Sequence, residues 1–217
     1  MEAPNFAPKM ASSIAHIEGK SRVLCEAGGG AGWKMSLGDF KKMADWLFAL
    51  GINFLTPHQV LLSVKGIRKR DFPPSHFWQQ PWWKYYPEFS HYVSRMCFLL
   101  SQGRHLAELC ILFPTSTFQA LSPGRIKSEE LKKLSKKIDE LAKNLLGYHY
   151  DFDFLFEEAI EKGKAKVGQG KIFVGKESFS ILIVPWAEVL SKKALDLILE
   201  FAQAGGWIFF LGKPPQK

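Results

Sequence analysis

The chain has 217 residues, a formal charge of +8 and 47% hydrophobic residues. That apolar content is enough for a packed core and excludes a disordered chain. No uncharged apolar run reaches the ~18 residues of a membrane span, and no basic segment leading into an apolar core opens the chain as a signal peptide would. A cytoplasmic protein without a membrane partner is therefore expected.

Six of the eight net charges lie in residues 1–104. The only basic cluster there, Arg68-Lys69-Arg70, is short, so nucleic acid is not an expected partner. Cys25, Cys97 and Cys110 show no CxxC spacing and sit in apolar runs, as buried free thiols do.

Residues 1–21 read as a loop with one short helical turn, since Pro4 and Pro8 interrupt the start and Ser12 or Ser13 can cap Ile14–Ile17. Arg22–Cys25 is a short apolar strand ending on a carboxylate, Glu26. A run of small residues from Ala27 to Gly32 leads to Trp33. A parallel barrel presents its chemistry in this way, at the C-terminal ends of strands. The glycines lack the Lys-Ser/Thr of a P-loop and the GxGxxG spacing, so they are not read as a phosphate cradle.

Ser36 and Asp39 form a capping-box pattern ahead of a helix over residues 37–50, closed by Gly51. A second strand, Ile52–Leu55, ends at Thr56-Pro57-His58. The result is a βαβ unit with a parallel crossover. Residues 59–81 hold three prolines and several aromatic and basic residues, and read as a loop over a binding face. A helix is predicted over 82–102, with Tyr86, Phe89, Tyr92, Val93, Met96 and Leu99-Leu100 turned inward, and with Trp82 and Trp83 in the core.

Strand and helix continue to alternate in the second half. Leu106–Phe113 is a strand, 115–127 a loop with a turn at Pro123-Gly124, and 129–146 a charged amphipathic helix. Asp151–Phe156 is a strand or the approach to a helix over 157–162. Strands at 171–174 and 180–185, a helix over 192–204 and a last strand at 207–211 follow. This alternation predicts an open three-layer α/β sheet, with the halves meeting near Gly103.

The segments ASSIAHIEGKSRVLCE, GW, ADWLFALGINFLTPH, KRDFPPS and QQPWW, in that order, resemble the (β/α)8-barrel glycoside hydrolases. Within these, the α-L-rhamnosidase-like group and its β-galactosidase-like neighbours are the most similar. The resemblance covers about residues 10–115. Beyond Leu106 the chain resembles the Rossmann-like, glutamine-amidotransferase-like domain that follows such barrels, without a nucleophilic cysteine in a glycine elbow.

The resemblance implies an α/β fold: residues 1–104 the C-terminal part of a (β/α)8 barrel, and residues 105–217 an open parallel sheet. A whole barrel takes about 250 residues, so the chain is expected to be a fragment. An upstream barrel segment, or another copy of the chain, would complete it. Cleavage of O-glycosidic bonds takes two carboxyl groups. By resemblance Glu26 is one, and its partner lies on an earlier strand. The substrate would be a carbohydrate. Trp33 offers a stacking face, His58 a sugar contact or a packed imidazole, and Asn53 a sugar contact or a backbone partner. Asp71 reads as a salt-bridged structural acid and His16 as a weaker candidate. The resemblance also implies calcium, to which no residue is assignable. The alternative reading is a non-catalytic carbohydrate-binding or interaction module.

Overall fold

The computed structural model describes residues 6–122, 128–213 and 215. The chain divides into two compact units, one of residues 21–103 and one of residues 1–20 with 104–217. Residues 6–20 therefore pack with the second half, and not with residues 21–103 as their position in the chain suggests. Pro4 and the predicted turn at Pro123-Gly124 lie outside the described residues.

The N-terminal segment is an eleven-residue helix, α1 (Ala7–Ile17), rather than a loop and a single turn. Pro8 sits in the first turn, where its missing N–H is not needed. The buried face of α1 carries Lys9, Ser12 and Ser13 beside Ala15 and Ile17.

In the unit of residues 21–103, β1 (Leu24–Ala27) and β2 (Phe54–Pro57) form a two-stranded parallel pair. Helix α2 (Leu37–Ala49) connects them. Its start is a complete capping box, in which the Asp39 N–H donates to Ser36 Oγ at 3.1 Å and the Ser36 N–H to Asp39 Oδ2 at 3.2 Å. Phe40, Ala44, Leu47 and Phe48 form its buried stripe. Both strands start two residues later than the hydrophobic pattern suggests, so Glu26 lies within β1, paired in register with Thr56.

Two 3-10 turns, Gly66–Arg70 and Trp83–Tyr85, precede α3 (Tyr86–Leu99). None of its residues is fully buried. Trp82 and Trp83 are half-buried, and Leu99 and Leu100 face solvent, against the inward position expected for them. Cys25 and Cys97 are half-buried, and only Cys110 is buried.

The other unit holds a four-stranded parallel sheet of β3 (Leu109–Phe113), β4 (Phe152–Phe156), β8 (Ile181–Pro185) and β9 (Trp207–Leu211). Their spatial order is β4-β3-β8-β9. Short α4 (Thr115–Ala120) and amphipathic α5 (Glu129–Gly147) connect β3 to β4. Then come α6 (Glu157–Glu161) and an antiparallel three-stranded sheet of β5 (Lys166–Gly168), β6 (Lys171–Val174) and β7 (Glu177–Phe179). Helix α7 (Lys192–Gln203) joins β8 to β9. Apolar side chains from β3, β6, β8 and α7, among them Leu112, Ile172, Leu182 and Phe201, make one core. Helix α1 covers the edge strand β4. The Ser13 hydroxyl accepts the Phe154 N–H at 2.9 Å, satisfying a backbone donor on that edge.

Candidate active site

Parallel strands bring their C-terminal ends to one side, and the His58 N–H donates to the Ala27 carbonyl at 2.8 Å as β2 leaves the pair. Glu26, Thr56 and His58 therefore gather at the same rim. Alternation along the strands divides two faces. Leu24, Glu26, Phe54 and Thr56 lie on an exposed face, whereas Ala27, Leu55 and Pro57 line a cavity of about 130 Å³ closed by Phe40, Met43, Tyr86 and Phe89. Glu26 does not line that cavity. Its carboxylate faces solvent with no hydrogen bond or ion pair among the described residues. Burial and the Glu26 charge both raise the neighbouring Cys25 thiol, so Cys25 is not poised as a thiolate.

The glycine run is pinned to the 59–81 loop. The Gly32 N–H donates to the Pro73 carbonyl at 2.9 Å and Trp33 Nε1–H to the Lys69 carbonyl at 2.6 Å. Trp33 is thus half-buried with its only polar hydrogen in use, and only its ring face remains for a ligand. Gly28 needs to be glycine twice over: its φ is +90°, and a Cβ there would lie 2.5 Å from the Phe40 ring. The His58 ring lies against Gly29, and its Nδ1 is buried without a hydrogen bond.

Next to it is a residue that sequence reasoning placed only in the loop. His76 is 1% exposed and neither ring nitrogen has a hydrogen-bond partner. Its ring packs edge-on against Phe40, Trp82 and Tyr86. Burial, then the nearby His58, lowers its pKa to about 4.

Asn53 lies at the opposite end of β2. It is buried, with Oδ1 accepting the Val23 N–H at 2.8 Å and Nδ2 donating to the Ser21 and Leu100 carbonyls. It ties backbone segments together and does not reach the rim. Asp71 is exposed and forms no ion pair among the described residues, so the expected salt bridge is absent. Its carbonyl instead accepts Gln59 Nε2–H at 2.7 Å.

In the unit of residues 1–20 and 104–217, the C-terminal ends of β3 and β8 are where an open parallel sheet of this order takes a ligand. Here the chain fills the place itself. Buried Glu157 accepts the Ser116 N–H at 2.8 Å, the Ser116 hydroxyl at 2.8 Å and the Ser191 N–H at 2.7 Å. Thr117 Oγ1 accepts the Glu188 and Val189 N–H groups and donates to the Val189 carbonyl.

The family model described as alpha-L-rhamnosidase matches residues 3–217. The chain belongs to the alpha-L-rhamnosidase family. It is 25% identical over 215 residues to a putative beta-glucuronidase of Formosa agariphila, spanning 97% of this chain and 17% of that protein. The rhamnosidase of Novosphingobium sp. PP1Y shares the fold with a TM-score of 0.66 and 18% identity, over 97% of this chain and 19% of its own. A GH42 beta-galactosidase from G. stearothermophilus, solved as a catalytic mutant, aligns with a TM-score of 0.56 and 16% identity over 77% of this chain and 22% of its own. The chain spans about a fifth of the length of each relative. No helix among the described residues is long and apolar enough to cross a membrane.

Calcium, which resemblance to the rhamnosidase group implies, does not fit the donors present. Among the described residues one trio brings ligand atoms together, His16, His105 and Asp153, within 4.8 Å of one another. Two of its donors are imidazole nitrogens, whereas calcium takes about six to eight oxygens. Burial opposes the charge on His105, but the carboxylates of Asp151, Asp153 and Glu177 around its ring carry its pKa to about 11. Burial likewise opposes ionisation of Asp151, yet His105 and Lys9 bring it down to about 2. Asp153 is held far below the usual range, because His105 and His16 outweigh its burial.

Proposed function

We propose that this chain is the part of a glycoside hydrolase that supplies one active-site wall, with Glu26 as one of the two catalytic carboxylates. The observation that carries this reading is the position of Glu26: an unengaged carboxylate near the C-terminal end of a parallel strand, in a chain of the alpha-L-rhamnosidase family. Its neighbours suit the task. The glycine loop follows it, His58 stands at the same rim, and the Trp33 ring face offers a platform for the apolar face of a sugar.

In this reading residues 21–103 are the end of the barrel. The exposed Leu24–Glu26 face of the strand pair is its interior, and earlier strands bring the second carboxylate. Those strands come from an upstream segment or from another copy. The parallel β4-β3-β8-β9 sheet is the Rossmann-like domain that follows, with Glu157 plugging its ligand crevice so that it serves as a structural partner. The relatives are named as hydrolases of glycosides, which supports the enzymatic reading over a binding module.

The test is Glu26→Gln in a polypeptide that joins this segment to its upstream barrel segment, assayed on an aryl α-L-rhamnoside. Removing a catalytic carboxyl group is expected to lower kcat by about 10³-fold or more with little change in KM. Full activity in this variant overturns the assignment.

A further inference from the structure

A second constellation lies far from Glu26 in sequence and within a single unit. Four segments bring it together: α1 supplies His16, the approach to β3 supplies His105, β4 supplies Asp153 and β7 supplies Glu177. Asp153 is 0% exposed. Oδ1 accepts the Ser13 hydroxyl at 3.0 Å and has Lys9 Nζ at 4.0 Å. His16 Nδ1 lies against both oxygens, 3.1 Å from Oδ1 and 3.0 Å from Oδ2, and His105 Nδ1 is 3.3 Å from Oδ2. Glu177 Oε2 lies 3.5 Å from the same His105 Nδ1.

These spacings belong to a coordination shell. A tetrahedral zinc ion with bonds of about 2.0–2.1 Å sets neighbouring donors about 3.3 Å apart. His105 Nδ1 is buried and has no aligned hydrogen bond, although two carboxylate oxygens stand within 3.5 Å of it. Its other nitrogen, Nε2, meets Asp151 Oδ2 at 2.8 Å, and Asp151 is held in turn by Lys9 Nζ at 2.6 Å. That is the carboxylate–histidine–metal arrangement, in which the outer carboxylate fixes the tautomer and aims the inner nitrogen at the ion. Asp151, Asp153 and Glu177 set three carboxylates against Lys9, surroundings that favour a cation on the imidazole nitrogens. The two imidazole rings are stacked, with centroids 4.3 Å apart, a poor arrangement for two imidazolium cations.

We propose that His16, His105 and Asp153 form a structural site for a divalent transition metal of the zinc class, with Glu177 beside His105. The ion ties α1 to the sheet.

The test is titration of the chelator-treated 217-residue chain with Zn²⁺ by calorimetry, and with Co²⁺ by visible absorption. One equivalent should bind, Co²⁺ should give the intense visible bands of a tetrahedral site, and Zn²⁺ should raise the melting temperature. His105→Gln should abolish the Co²⁺ spectrum. Asp151→Asn, which removes no ligand, should weaken binding by about 10–100-fold. Absence of binding by the wild-type chain at micromolar Zn²⁺ overturns the proposal, as does an unchanged Co²⁺ spectrum in a folded His105→Gln variant.

Discussion

The two units treat buried histidine in opposite ways. In residues 21–103, His76 is enclosed by Phe40, Trp82 and Tyr86, with no partner for either nitrogen. In the other unit, His105 is surrounded by Asp151, Asp153 and Glu177. Residues 21–103 expose apolar strand residues, Leu24 at 57% and Phe54 at 49%, on the face that carries Glu26. The other unit also exposes apolar residues, Trp207 at 69% and Phe209 at 49% on its edge strand, but it closes its buried carboxylate Glu157 in hydrogen bonds.

The sharpest way to break this contrast is at Glu157, whose carboxylate accepts three hydrogen bonds at the sheet crevice. Glu157→Gln sets an amide donor against donors from Ser116 or Ser191. A loss of about 3 kcal/mol is expected in chemical denaturation. A stability within experimental error of wild type would show that the crevice is not closed by this residue, and would reopen it as a ligand site. Gly28→Ala comes next. Its strained φ and the clash with Phe40 predict a loss of about 2 kcal/mol confined to residues 21–103, read by hydrogen exchange in α2.

The alternation of strands and helices was legible because β3 and β8 are continuous apolar runs and a period-3.6 apolar pattern survives in α2, α5 and α7. Helix α1 was not. Its buried face is made of Lys9, Ser12 and Ser13, which no hydrophobic pattern reveals, and their burial makes sense only beside Asp151, Asp153 and the edge of β4. Strands β5 and β7 are three residues each, too short for alternation to register. Leu99 and Leu100 misled because an apolar helix end looks like core whether or not anything covers it. Glu26 was visible as an acid at the end of an apolar run. The His16–His105–Asp153 group was not, since its members are spread over 137 positions and meet only through topology.

The gentlest expected effect is on pH, and it separates the units directly. His76 has a folded pKa near 4, below the ordinary imidazole value of 6.5. The unfolded chain therefore takes up the proton first. The stability this residue leaves intact above pH 6.5 is lost as pH falls toward 4. At pH 5.5 the loss is about 1 kcal/mol or less, allowing for solvent screening. His105 has a folded pKa near 11, above its unfolded value, so its contribution is complete below pH 6.5 and is lost only as pH rises toward 11. Asp151, near 2 in the folded chain, gives way only in stronger acid. Between pH 6.5 and 4, with chelator present, amides of α2 and β2 should exchange faster while those of β3 and β4 hold their protection. His76→Phe should remove the acid sensitivity of residues 21–103. If that variant remains as acid-labile as wild type, the orphaned imidazole is not what distinguishes the two units.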